Sequence, residues 1–132
     1  MSYLIDTNII IFFFKDKHGI DRKIEKVGIE NCYISELTVA ELKYGAAYSK
    51  NPEKHFQEIE DLLTYMPVIP ISSSIDFFSN EKARLRKLGT LIDDFDLLIG
   101  STAIINDFIL VTNNTKHFKR LEGIKLEDWT KK

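Results

Sequence analysis

Residues 91–103 read Leu91-Ile92-Asp93-Asp94-Phe95-Asp96-Leu97-Leu98-Ile99-Gly100-Ser101-Thr102-Ala103. Asp93, Asp94 and Asp96 crowd the start, and the chain then turns apolar. Leu97, Leu98, Ile104 and Ile105 recur at helical spacing, the stripe of a helix packed on a core. Gly100, Ser101 and Ala103 are small, so another element can lie close along that flank. Asp93 has the place of an N-cap, and Asp96 suits the positive end of the helix dipole. Capping accounts for one or two of these acids. It leaves open why lone acids elsewhere in the chain stand in similar places.

Working outward, strands and helices alternate. Tyr3-Leu4-Ile5 is a short apolar run without polar partners, as in a central buried strand. It ends in Asp6-Thr7-Asn8, and Ile9 to Phe14 reads as a helix. Asp6 is then either a helix N-cap, helped by Asn8, or an acid in the crevice where open α/β sheets bind ligands. Both remain open from this segment alone. Ile20 to Val27 is an amphipathic helix stopped by Gly28. Cys32 to Ser35 is a second strand and Leu37 to Ser49 a helix, in which Thr38 and Glu41 have capping-box spacing. Asn51-Pro52 opens the next helix, with Phe56, Ile59, Leu62, Leu63 and Met66 as its apolar face.

Val68 to Ile71 is a third strand, placed at an edge or given an irregular end by Pro70. A helix then runs to about Leu88, stopped by Gly89, with Phe78, Leu85 and Leu88 facing inward. Lys82, Arg84, Arg86 and Lys87 make it the most basic helix, either a solvated face or a phosphate-contacting rim. Phe108 to Val111 is a fourth strand, followed by a helical turn and a last strand near Ile124 to Leu126. The pattern predicts one α/β domain over residues 1–132: three layers, with a mainly parallel sheet of four to five strands flanked by helices.

Composition narrows the function. The chain has 132 residues and is 44% hydrophobic, enough for a real core. With 18 basic and 20 acidic residues the net charge is −2, so any nucleic-acid contact rests on a local patch. The single cysteine, Cys32, suits a buried thiol in a reducing compartment. No apolar run is long enough to span a bilayer, and the N-terminus lacks a secretion signal. A cytoplasmic protein is expected.

The acids gain meaning together. In a parallel sheet the strand C-termini and the following helix N-termini share one edge. Asp6, Glu41 and Asn114 fit that edge directly; Asp96 fits if its helix begins there. Carboxylates that meet repel one another unless a hard cation neutralises them. An all-oxygen set without histidine or thiolate suits Mg²⁺ or Mn²⁺. Such ions activate a water and stabilise the leaving oxygen of a phosphodiester.

YLIDTNI, ISELTVAELKYGA, FDLLIGSTA and LVTNNTKHFKRLEGIKLEDW, in this order from residue 3 to 129, resemble PIN-domain ribonucleases. More narrowly they resemble VapC, the toxin half of VapBC toxin–antitoxin pairs. The resemblance implies an acidic metal site of Asp6, Glu41 and Asp96, with Asn114 where relatives often carry a fourth acid. Asn8 and Thr112 are the supporting polar residues. Lys82, Arg84, Arg86, Lys87 and Lys116 are the candidate RNA contacts. Also implied are Mg²⁺-dependent cleavage of structured RNA such as tRNA, a VapB-type antitoxin, and homodimers that assemble further with it. The chain departs from many relatives at His117, where they carry an acid; a rim residue contacting phosphate is expected there.

Two other functions compete. A haloacid-dehalogenase-type phosphatase also places an aspartate after its first strand, but needs a second two residues on, where this chain has Asn8. A degenerate PIN domain would bind RNA or protein without cutting, yet such copies usually lose one of the three acids.

Overall fold

In the computed structural model, which describes residues 1–131, Leu4 and Ile5 are fully buried and feed two different cores. They belong to β1 (Tyr3–Ile5), which is followed by α1 (Thr7–Phe14), α2 (Ile20–Val27) and β2 (Cys32–Ser35). Next come α3 (Glu36–Tyr48), α4 (Pro52–Leu63), β3 (Val68–Ile69), α5 (Ile75–Lys87) and α6 (Asp94–Ile105). The chain closes with β4 (Ile109–Val111), α7 (Thr115–Phe118) and β5 (Lys125–Glu127). The sheet has five strands in the order β3-β2-β1-β4-β5, and every neighbouring pair is parallel.

Side chains alternate across the sheet, as strand geometry requires. Leu4 and Leu110 join Leu85, Leu97 and Phe118 on one face. Ile5, Ile34 and Val111 join Ile9, Ile10, Leu42 and Ile59 on the other. Burying each such side chain contributes roughly 1.5–3 kcal/mol, so two cores hold the three layers. The expected α/β architecture is therefore the one observed. Among the described residues no helix is long and apolar enough to cross a membrane.

Local signals set most helix ends. Asn51 caps α4 by accepting from the Lys54 N–H, and Pro52 opens the helix. Asp93 caps α6, accepting from the Phe95 and Asp96 amides at 3.0 and 3.4 Å. Gly100 is buried where α6 meets the C-terminal segment, and a side chain there would run into Leu121 and Phe118. Neighbouring Ser101 and Thr102 are buried too, but their hydroxyls turn back on the Leu97 and Leu98 carbonyls.

Three expectations are corrected. The cap of α3 is Ser35, whose hydroxyl accepts from the Leu37 N–H, so Thr38 and Glu41 form no capping box. Leu88 is 63% exposed because α5 has already ended at Lys87. Ile105, in the last turn of α6, is 45% exposed, while Ile99 replaces it in the core.

Candidate active site

Asp6 follows the end of β1 and Thr112 the end of β4. These strands are neighbours at the centre of the sheet, where the strand order reverses and open parallel sheets bind ligands. The Asp6 N–H donates to the Val111 carbonyl at 2.9 Å, which holds the two ends together. Asp6 is only 5% exposed. Its Oδ1 accepts from the Thr7 N–H at 2.9 Å and its Oδ2 from the Thr112 hydroxyl at 2.8 Å. Asp6 therefore caps α1 and also stands at the carboxyl edge of the sheet. Burial pushes its pKa up and nearby Glu41 adds to this, against the two hydrogen bonds.

Glu41 lies in the second turn of α3, partly buried. Its Oε1 is 2.7 Å from the Thr7 hydroxyl, which is also 3.1 Å from the Thr38 hydroxyl. The carboxylate can only accept and Thr7 has one hydroxyl proton. Thr7 thus donates to Glu41, and the buried Thr38 is left to support Thr7. Both threonines escape a reading of the sequence for charged residues. The available signal was Thr7 itself, directly after Asp6 at the start of a helix.

Asp96 enters from the first turn of α6, partly buried. Burial, then the negative charges of Asp6, Asp93 and Glu41, push its pKa up to about 6. Asp6 before α1, Glu41 in the second turn of α3 and Asp96 in the first turn of α6 therefore share one electrostatic neighbourhood. None of them is in an ion pair among the described residues. Nor do any three acidic, histidine or cysteine side chains among those residues close tightly enough to grip an ion as they lie. The donor set is nevertheless all carboxylate oxygen, and its unrelieved repulsion is what a hard cation neutralises. The chemistry of these residues fits such an ion.

The remaining candidates divide. Asn114 reaches the cluster through its backbone, donating its N–H to the Thr112 hydroxyl at 3.0 Å, while its Nδ2 lies 3.0 Å from His117 Nδ1. Asn8 is exposed on α1, and its side chain makes no hydrogen bond among the described residues. Arg84 is committed inside the fold: it forks onto the buried Glu81 at 2.7 and 2.8 Å and donates to the Arg120 carbonyl. Lys82 pairs with Asp94 at 2.9 Å. Arg86, Lys87 and Lys116 are exposed without ion-pair partners among the described residues.

Beside Glu41 opens a groove of about 500 Å³ between α1, α3 and α4. Ile11, Phe14, Leu42, Ala46 and Ile59 make its apolar floor, with Glu41 and Glu58 also lining it.

A family model described as PIN domain matches residues 3–124. The chain is 35% identical over 134 residues to Ribonuclease VapC2 of Rickettsia felis, covering 99% of this chain and 100% of that protein. It is 32% identical over 131 residues to the tRNA(fMet)-specific endonuclease VapC of Shigella flexneri, covering 98% and 99% respectively. Its fold is similar to a chain in the crystal structure of VapBC2 from Rickettsia felis bound to a DNA fragment from their promoter. That match has a TM-score of 0.89 and 33% identity, covering 98% of this chain and 99% of the other.

Proposed function

The chain belongs to the PIN-domain family, among its VapC ribonucleases, and from that premise we propose that it is a Mg²⁺-dependent endoribonuclease. It cuts structured RNA such as tRNA and acts in the cytoplasm as the toxin of a toxin–antitoxin pair. One observation carries this: Asp6, Glu41 and Asp96 gather at the switch point of the sheet, where burial and then the neighbouring negative charges push Asp96 up to about 6.

Asp6, Glu41 and Asp96 would hold the ion, with Mn²⁺ able to replace Mg²⁺. Bound there, the ion supplies a Lewis acid that acidifies water and neutralises charge on the phosphate. The protein's own work is orientation. The Thr7 amide and the Thr112 hydroxyl occupy one lone pair on each oxygen of Asp6, so that carboxylate cannot swing. The Thr7 hydroxyl restrains Glu41 through one oxygen, Oε1. In hydrolysis a water oxygen bonds to phosphorus, the bond to the leaving ribose oxygen breaks, and that oxygen takes up a proton. Either Glu41 or Asp96 would steer the water. Exposed Arg86, Lys87 and Lys116 contact the RNA backbone.

The partner is a VapB-type antitoxin whose apolar helix lies in the groove beside Glu41, and the toxin forms homodimers that assemble further with it. The similar structure from Rickettsia felis is of VapBC2 bound to a DNA fragment from their promoter, which supports an antitoxin partner.

Incubating the purified protein with bulk tRNA, with Mg²⁺ and with EDTA, tests the proposal. Cleavage that EDTA stops and Mg²⁺ restores is expected. RNA binding without cleavage under both conditions would instead favour a degenerate binding module.

A further inference from the structure

A string of hydrogen bonds runs from the surface to the buried carboxylate of Asp6. The Thr112 hydroxyl donates to Asp6 Oδ2 at 2.8 Å, and the Asn114 N–H donates to that hydroxyl at 3.0 Å. Asn114 Nδ2 lies 3.0 Å from His117 Nδ1. Each link has a direction set by chemistry. Thr112 has one hydroxyl proton, and accepting from Asn114 leaves that proton for Asp6. An amide nitrogen only donates, so Nδ1 of His117 accepts and the ring carries its proton on Nε2. His117 follows Asn114 by one turn of α7, so a single short helix presents both groups. Among the described residues His117 is the only side chain bonded to the Asn114 carboxamide.

We propose that His117 is a positioning residue for the acid site, holding the Asn114 carboxamide and steadying the segment that aims Thr112 at Asp6. It touches neither the acids nor the reacting atoms. It holds the amide through Nδ2 and leaves Oδ1 without a protein partner among the described residues. This deepens the nuclease reading and rests on it only for the consequence in cleavage. A rim residue that binds phosphate needs a positive charge at position 117; a positioning residue needs a hydrogen-bond acceptor. The two roles therefore rank substitutions in opposite orders.

The test compares the wild type with His117→Ala, His117→Gln and His117→Lys by two readouts. Nitrogen-15 NMR follows the Asn114 side-chain amide directly. Its protons should exchange slowly in the wild type and in His117→Gln, whose carbonyl accepts, and rapidly in the alanine and lysine variants. In RNA cleavage, kcat should fall about 10-fold for alanine and lysine with KM within about twofold, while glutamine restores most of the rate. His117 is exposed, so all four proteins should fold. An Asn114 amide unmoved in His117→Ala overturns the proposal whatever the cleavage shows. So does an active lysine variant beside an inactive glutamine variant. A wild type that cuts no RNA would defeat the nuclease reading alone, with the amide measurement still deciding the positioning.

Discussion

Thr7 and Glu41 are 34 residues apart, yet the Thr7 hydroxyl stands 2.7 Å from Glu41 Oε1. The first residue of one helix thereby restrains a carboxylate on another, while its own backbone amide holds Asp6. Thr7 is the hinge pin between two of the three acids.

Replacing Thr7 by valine keeps the shape and removes the hydroxyl. Cleavage should fall about 10-fold, as when the group orienting a ligand is lost. Stability should drop by only about 1 kcal/mol, because the Asp6 cap uses the backbone amide. Single-turnover cleavage and urea unfolding give the two numbers. An unchanged rate would mean that Glu41 does not depend on Thr7.

Asp96→Asn should abolish cleavage and leave the fold intact. The same variant should raise the melting temperature of the metal-free protein by about 3–6 °C at pH 7, because it removes one charge from a crowded cluster. Calorimetry in EDTA measures this. A destabilised variant would assign Asp96 to the helix terminus instead of the ion.

Stability should also depend on pH in a defined direction. Asp96 is raised from 3.8 to about 6, and Asp6 is raised too, so the folded state holds these protons more tightly than the unfolded chain. Wherever the native state binds more protons, stability falls as pH rises. The metal-free protein should therefore lose stability between about pH 4 and 6–7, with the penalty absent below the unfolded values. Mg²⁺ at pH 7 should recover the loss. A melting temperature flat across that window in EDTA would contradict the burial and mutual repulsion of these acids.

The antitoxin should compete with the ion. An arginine fork can bridge two carboxylates, and the groove beside Glu41 offers the apolar seat for the rest of a helix. Affinity measured by calorimetry should weaken as Mg²⁺ rises. Affinity that ignores Mg²⁺ but responds to Leu42→Ala or Ile59→Ala would restrict the partner to the groove.

Gly100→Ala tests the packing behind the site. The added methyl meets Leu121 and Phe118, so stability should fall by about 1–3 kcal/mol. Denaturant unfolding reports it directly. A neutral result would mean that the C-terminal segment yields easily at that contact.

The elements themselves were legible in the sequence because their signals are local. Asn51-Pro52, Asp93 and the glycines after α2 and α5 each act within a few residues, so spacing alone identifies them. The alternation of short apolar runs with capped helices then allows little but a parallel sheet between helix layers. That Asp6, Glu41 and Asp96 come near one another was legible as well, through strand ends, helix starts and the family motifs. The start of α3 is ambiguous in the sequence because Ser35 and Thr38 are both competent caps. Ser35 prevails because β2 runs straight into α3, so the helix begins at Glu36 and Thr38 falls inside it, buried beside Thr7. Arg84 reads as a free cation until its fork meets the buried Glu81. Thr112 reaches Asp6 across 106 residues and Thr7 reaches Glu41 across 34. A cap needs only the right spacing along one chain, whereas these contacts exist because the strand order places β4 beside β1 and α1 against α3. That order is settled by burying both faces of the sheet at once, which is a property of the whole fold.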